Sequence, residues 1–366
     1  MIRAAVLTEP NRPLQVEEVD LAAPGPGEVR VKVAAAGICH SDLHYMNGEL
    51  GHPLPVVLGH EGAGTVVEVG SGVADFSVGD HVVLLWRTSC GHCGYCSSGR
   101  PHLCPQGNAL RVNGTLLDGT SRLSLRGGPL HHFLGVSCFA EEAVLPQEGV
   151  VKVPDDVPLE IAAVCGCSVM TGVGAAMNSA RVEPGSTVLV IGAGGVGLCA
   201  IMGARLCGAA QIIAADLNPS KLETAKRFGA TDVVNSAEED LPRAVRRLSG
   251  GGVEFAIEAI GRAETVAQAV RSLRAGGVAV AVGISGPKVK VELPLLDLVM
   301  QEKQLRGSVY GSTRPGLDFP RLFDLYRHGR LPLDELLSHR YRLEEINEAY
   351  AALQRGELTR AVVLLG

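Results

Sequence analysis

Up to about residue 150 the chain alternates apolar and polar positions in short runs, Val29–Val33, Gly64–Val69 and His81–Leu85, broken by Pro24–Gly27 and Val78–Asp80. That alternation, with Pro and Gly between the runs, predicts half-buried β-strands. Near residue 170 the pattern changes. Thr187–Ile191 is a continuous apolar and β-branched run, as expected of a strand buried on both faces. A glycine turn and a helix to about Cys207 follow. Strand Gln211–Asp216, helix Ser220–Phe228, strands Thr231–Val234 and Phe255–Ala259, helix Ala263–Arg274 and strand Gly277–Val282 continue the series. Asn218-Pro219 supplies a cap and a first-turn proline for the second helix. Strands and helices alternating over short links predict an α/β fold with a parallel, doubly wound sheet. From about residue 310, helical segments Pro320–His328 and Leu343–Leu353 precede a last strand, Arg360–Leu365.

At 366 residues the chain exceeds one ordinary core, so two domains are expected. Its 46% hydrophobic and 20% charged content is that of a soluble globular protein. A net charge of −6 with no basic cluster argues against a nucleic-acid role. Val188–Ala204 carries no charge, but its Gly192-Ala-Gly-Gly-Val-Gly197 core suits a strand, turn and helix better than a membrane span. The N-terminus lacks the apolar stretch of a signal peptide. Ten cysteines without such a signal suggest a reducing cytoplasm and thiols used for metal.

Cys90, Cys93, Cys96 and Cys104 form C-x2-C-x2-C-x7-C. Four thiols this close predict a closed, structural zinc site; two disulfides are the alternative. A second metal has candidates elsewhere. Cys39-His40-Ser41-Asp42-Leu43-His44 concentrates metal- and proton-capable groups, His60-Glu61 adds another pair, and Cys165-Gly-Cys167 adds sulfur. One Cys, one His and one Cys from three segments would leave a fourth zinc position open for substrate. Spacing does not decide between Cys165 and Cys167, and each group taken singly could be an ordinary core residue.

Gly192-x-Gly194-Gly195-Val196-Gly197 follows a predicted strand and opens a helix, and Asp216 ends the next strand 19 residues after the last glycine. This context turns a weak motif into a dinucleotide-binding one. The pyrophosphate would lie on the helix N-terminus. Asp216 would accept the ribose hydroxyls and repel a 2′-phosphate, which favours NAD over NADP; Leu217 and Asn218 offer no cation there. Lys221 is a further candidate for the ribose or pyrophosphate, or a plain surface lysine.

The chain as a whole resembles the zinc-dependent alcohol dehydrogenases of the medium-chain dehydrogenase/reductase family. The resemblance rests on Cys39-His-Ser-Asp42, Gly59-His-Glu61, the four-cysteine lobe, Gly166-Cys167, Thr171-Gly172, Gly192–Gly197, Ala259-Ile-Gly-Arg262 and Leu358-Thr-Arg360, in that order. It implies a mostly β, GroES-like catalytic domain over residues 1–168 and 310–366 and an NAD-binding Rossmann domain over 169–309. The family's register makes Cys167, four residues before the Thr-Gly pair, the ligand and Cys165 a packing residue. Cys39, His60 and Cys167 would then hold the catalytic zinc, Glu61 would be an alternate ligand and Asp42 would orient His60. Ser41 would take a hydrogen bond from the substrate hydroxyl, and His44 would pass the proton from the nicotinamide ribose to solvent. Thr171 and Val196 would back the nicotinamide, and Arg262 and Arg360 would meet the nicotinamide and pyrophosphate sides of NAD. His40 stands where the family often has Arg, which predicts weaker cofactor binding and faster release.

Trp86, Phe133, Leu134 and Ile284 match channel-lining positions, with Ile284 also against the cofactor. They imply primary aromatic or medium aliphatic alcohols as substrates. The competing branch oxidises the adduct of formaldehyde with glutathione or mycothiol. Leu85-Trp-Arg87 and Gly99–Cys104 resemble the mycothiol users; Asn108, where the glutathione users carry Arg, argues against that version. A non-catalytic zinc- and NAD-binding protein is a more distant alternative, because fold does not fix function. A zinc-free quinone reductase is disfavoured by the complete ligand set. The long segment Pro105–Arg122 goes with dimers in the family, paired through the strand near Leu305–Tyr310.

Overall fold

The computed structural model describes residues 1–365; Gly366, the last residue of the expected catalytic domain, lies outside the described residues. The chain divides into two compact units, Met1–Cys167 with Arg314–Gly366, and Ser168–Thr313.

In the first unit the alternating runs become antiparallel strands. Its larger sheet runs in the order Val150–Lys152, His81–Leu84, Gly62–Val69, Glu28–Gly37, Arg360–Leu364, Leu337–Arg342, and Glu142–Pro146 also pairs with Glu28–Gly37. The C-terminal strand therefore lies in the middle of the N-terminal sheet, Val362 opposite Gly37. Val29, Val31 and Val33 alternate inward to a core that also holds Leu43, Leu58, Phe133, Phe139 and Tyr350. Each such side chain contributes roughly 1.5–3 kcal/mol on burial. A second sheet, built around Ile2–Leu7, covers a smaller core of Ile2, Ala4, Val6, Val19 and Val57. Pro105–Asn113, expected as part of a loop, is a helix that starts with Pro at its first turn and ends on Gly114 in the left-handed region.

The second unit carries a six-stranded parallel sheet in the order Asp232–Asn235, Gln211–Asp216, Thr187–Ile191, Val253–Glu258, Leu273–Ala281, Gln304–Gly307. Strand order reverses beside Thr187–Ile191, the place where open parallel sheets bind ligands. Helices Leu241–Ser249 and Leu295–Met300, like the helical run Leu159–Ala180, escaped sequence reading. Leu241–Ser249 is capped by the Asp240 side chain, which accepts from Arg243 N at 3.0 Å. Leu295–Met300 exposes Leu295, Leu296, Val299 and Met300. The edge strand is Gln304–Gly307 rather than Leu305–Tyr310, and Tyr310 is buried in a short turn.

Val188–Ala204 is a strand, turn and helix. Among the described residues the helix long and apolar enough to cross a membrane is instead Leu159–Ala180, and its most apolar stretch is 89% buried, as in a core helix.

Candidate functional sites

The chemistry of the first unit gathers at the centre of its larger sheet. Strand Glu28–Gly37 ends at Gly37, whose N–H donates to Glu61 O at 2.7 Å, and Ile38 N donates to Ala361 O at 2.9 Å. Three distant segments are thus tied together by backbone bonds. Gly37 has to be glycine, since a Cβ there would sit 2.2 Å from Glu61 Oε2. Cys39 caps the next helix, His40–Met46, its sulfur accepting from Ser41 N at 3.5 Å. Cys167 comes from the helical run that begins at Leu159 and widens to a π turn over Cys165–Val169. Such wide turns recur at functional sites because they re-aim one side chain.

The result is a buried cluster. Ligand atoms of Cys39, His60, Glu61 and Cys167 all lie within 4.8 Å of one another. Cys165 is fully buried among packing residues and takes no part. His60 Nδ1 lies 3.0 Å from Asp42 Oδ1. An ionised carboxylate only accepts, so Nδ1 carries a proton and Nε2 is the nitrogen left to face a metal. Burial opposes charge on His60, but Asp42 and Cys39 more than offset it and raise its pKa well above the usual value. Cys39 is held well below the ordinary thiol range, first by the hydrogen bond from Cys167; Cys167 is pushed well up by that bond and by burial. Two sulfurs sharing a proton beside a histidine that favours its charged form are a donor set from which a divalent cation would release protons.

Glu61 is fully buried and pairs with the buried Arg360 guanidinium through Oε2. Its Oε1 is buried with no hydrogen-bond partner. Burial pushes its pKa up to about 7 against the pull of Arg360. Arg360 is raised in turn: burial opposes its charge, and Glu61, Cys39 and Cys167 outweigh that.

Aromatic rings wall this cluster. Trp86 meets the His60 ring edge-on at 6.3 Å between centroids, and Phe133 does so at 5.9 Å. Tyr45 and His52, which sequence reasoning did not single out, pack on Phe133 at 4.7 and 5.4 Å. Leu134 follows Phe133, buried and in the left-handed region. Ser41 and His44 lie half-buried on the helix that follows Cys39. His44 Nδ1 is 2.7 Å from Glu49 Oε2, a partner also missed in the sequence. His40 is exposed at the start of the same helix.

Cys90, Cys93, Cys96 and Cys104 form a second, partly exposed cluster, also within 4.8 Å. All ten cysteines are free thiols. Sulfur separations are 3.5 Å for Cys93–Cys96 and 3.9 Å for Cys90–Cys96 and Cys93–Cys104. A tetrahedron with Zn–S of about 2.3 Å has edges of about 3.8 Å, so the donors stand at zinc spacing and not at disulfide spacing. Backbone N–H groups of the loop hold Cys90 down to about 6, while burial pushes Cys96 up to about 12.

In the second unit the glycine turn joins Thr187–Ile191 to helix Gly195–Leu206, whose N-cap, Gly194, offers no side-chain hydrogen bond. Gly197 is required for close packing, as a Cβ there would sit 1.7 Å from Gly192 O. A Cβ on Gly194 would meet open space, so an anion can approach the uncapped N–H groups. Asp216 closes the turn from the next strand, accepting from Ala193 N at 2.8 Å and Asn218 N at 3.0 Å. Gly192 and Ala193 are buried, while Gly195 and Val196 are half-buried at the helix start. Lys221 is half-buried on helix Pro219–Phe228, Arg262 and Ile284 are exposed, and Thr171 is buried with an unpartnered hydroxyl.

The chain is similar to known proteins along its whole length. Residues 25–155 match the alcohol dehydrogenase GroES-like domain, and residues 195–327 match the zinc-binding dehydrogenase domain. The chain is 38% identical over 365 residues to the S-(hydroxymethyl)glutathione dehydrogenase of Synechocystis, covering 99% of each protein. Among solved structures it is similar to an alcohol dehydrogenase zinc-binding domain protein from Burkholderia ambifaria, at 39% identity and a TM-score of 0.96. Benzyl alcohol dehydrogenase from Acinetobacter calcoaceticus follows at 36% and 0.95. Both likenesses cover 100% of this chain and 99% of the other.

Proposed function

Because the chain belongs to the zinc-dependent alcohol dehydrogenases of the medium-chain dehydrogenase/reductase family, we propose that it interconverts primary aromatic or medium aliphatic alcohols and their aldehydes, with NAD as the redox partner. The observation that carries this is the buried Cys39–His60–Glu61–Cys167 cluster walled by Trp86 and Phe133. Cys39, His60 and Cys167 would hold one zinc, with Glu61 as an alternate ligand, and the four-cysteine lobe a second. When bound, the catalytic zinc supplies a Lewis acid that lowers the proton affinity of an alcohol oxygen, and NAD supplies a hydride acceptor.

The chain's own residues do the rest. Asp42 fixes the His60 tautomer so that Nε2 faces the ligand cluster. Ser41 accepts a hydrogen bond from the substrate hydroxyl. His44, engaged at Nδ1 by Glu49, keeps Nε2 to take up the proton and release it to solvent. Trp86, Phe133 and Leu134 exclude water and select an apolar group next to the reacting carbon. Asp216 would receive the ribose hydroxyls, Gly192, Gly194, Gly195 and Gly197 would admit the pyrophosphate to the helix N-terminus, Lys221 and His40 would serve the pyrophosphate, and Arg262 would serve the nicotinamide side. Thr171, Val196 and Ile284 contact the nicotinamide. Arg360 serves the cofactor only if it exchanges its contact with Glu61.

The second reading is oxidation of a formaldehyde–thiol adduct, favoured by the Synechocystis relative's name. Asn108 lacks the charge that would argue for glutathione, yet Arg111, one turn on, donates to Asn108 Oδ1 at 3.3 Å and brings a guanidinium to that position. The two readings separate in one experiment. NADH formation at 340 nm with benzyl and hexyl alcohols, and no gain from thiols, upholds the first. Activity that needs formaldehyde with glutathione or mycothiol overturns it in favour of the second.

We further propose a homodimer joined through the exposed edge strand Gln304–Gly307 and the apolar helix Leu295–Met300 beside it in the chain. A monomer in sedimentation would contradict it.

A further inference from the structure

Two buried polar atoms near the proposed zinc ligands lack a hydrogen bond of good geometry and are complementary. One is Asp42 Oδ2, an acceptor, and the other is the Tyr350 hydroxyl, a donor. Asp42 is fully buried on helix His40–Met46; Tyr350 is 2% exposed on helix Ile346–Gln354. Both helices contribute to one apolar core, where the Tyr350 ring stands edge-on to Phe139 at 6.1 Å. Burial raises the Tyr350 pKa well above the usual value, and Asp42 is the neighbouring charge that acts on it most, ahead of Cys39. Phenylalanine would fill this apolar site without a polar atom. A buried tyrosine hydroxyl left unpaired is destabilising, so a partner is required of it. The hydroxyl and the Asp42 carboxylate stand close enough to interact as side-chain hydrogen-bond partners, and each is the complement the other lacks.

We propose that Tyr350 is a positioning residue for the catalytic metal: its hydroxyl donates to Asp42 Oδ2 while His60 occupies Oδ1. The carboxylate is then held at both oxygens. It cannot swing away from His60, and Nε2 of His60 stays aimed at Cys39 and Cys167. The inference rests on the reading of Cys39, His60 and Cys167 as zinc ligands.

The test is the rate at which the holoenzyme gives up zinc to a chromogenic chelator, with the four-cysteine lobe as internal reference. A partner of a metal ligand is worth about 10–100-fold in metal affinity, and Tyr350 acts one bond further out, so Tyr350→Phe should release the catalytic zinc about 3–10-fold faster. Release from the lobe should not change. In an Asp42→Ala background, Tyr350→Phe should have no further effect. Phenylalanine keeps the ring, so the fold is retained. Unchanged release, equal acceleration at both sites, or the same factor in the Asp42→Ala background would each overturn the proposal. A wild-type protein holding one zinc per chain would instead overturn the ligand assignment beneath it.

Discussion

The two cysteine clusters of the first unit use the same element in opposite ways. The lobe at Cys90–Cys104 draws four sulfurs from fifteen consecutive residues, and backbone N–H groups of its own loop bond to them. It is partly exposed and its donors are saturated by one another. The Cys39–His60–Glu61–Cys167 cluster is fully buried, mixes sulfur, nitrogen and oxygen, and depends on Asp42 and Arg360 to hold its members. A saturated tetrahedron can only brace a loop. A site with three protein ligands would leave a fourth position open for chemistry. The comparison teaches that reactivity here comes from what surrounds the ligands, and the surroundings are where it can be broken.

The largest effect should fall on the lobe. Structural zinc contributes about 10–16 kcal/mol of apparent binding energy in small zinc domains, so Cys104→Ser should abolish metal there. Limited proteolysis should then cut between residues 90 and 104 well before the rest of the chain; equal resistance would refute a bracing role. Next comes the buried ion pair. Arg360→Leu leaves Glu61 buried and alone, which should cost about 3–5 kcal/mol in denaturant unfolding, and adding Glu61→Gln should return most of it. Third, Asp42→Ala should speed loss of the catalytic zinc about 10–100-fold and leave the lobe untouched.

The smallest effect concerns pH and lies outside both clusters. Burial, and then the charge of Arg122, press the His132 pKa from 6.5 down to about 3. In the unfolded chain this histidine protonates as pH falls through 6.5, while the folded chain resists until about pH 3. The unfolded state therefore binds more protons across that window, and stability falls with pH. The slope approaches about 1.4 kcal/mol per pH unit for one group. His132→Asn should flatten the change in urea midpoint between pH 7 and 5; an unchanged slope would show that other groups set it.

These contrasts also explain what the sequence revealed. The lobe was legible because its ligands are neighbours in the chain, and spacing is then geometry. The glycine turn and Asp216 were legible because strand, turn and helix are local. The buried cluster was legible only in its members. The choice between Cys165 and Cys167 is made by the π turn at Cys165–Val169, which no periodicity signals. The Glu61–Arg360 pair joins residues 299 apart. Tyr45, His52 and Tyr350 drew no reading from the sequence, because packing around a site has no motif. Helix Leu241–Ser249 did carry a signal, the Asp240 cap, and was missed because its three arginines obscure a narrow apolar face.

The most direct test of the account measures zinc content and alcohol oxidation on the same preparation of Cys167→Ser. The account predicts one zinc per chain where the wild type holds two, a melting temperature close to wild type, and no measurable NADH formation from benzyl alcohol. Two zincs retained, or turnover near that of the wild type, would contradict it.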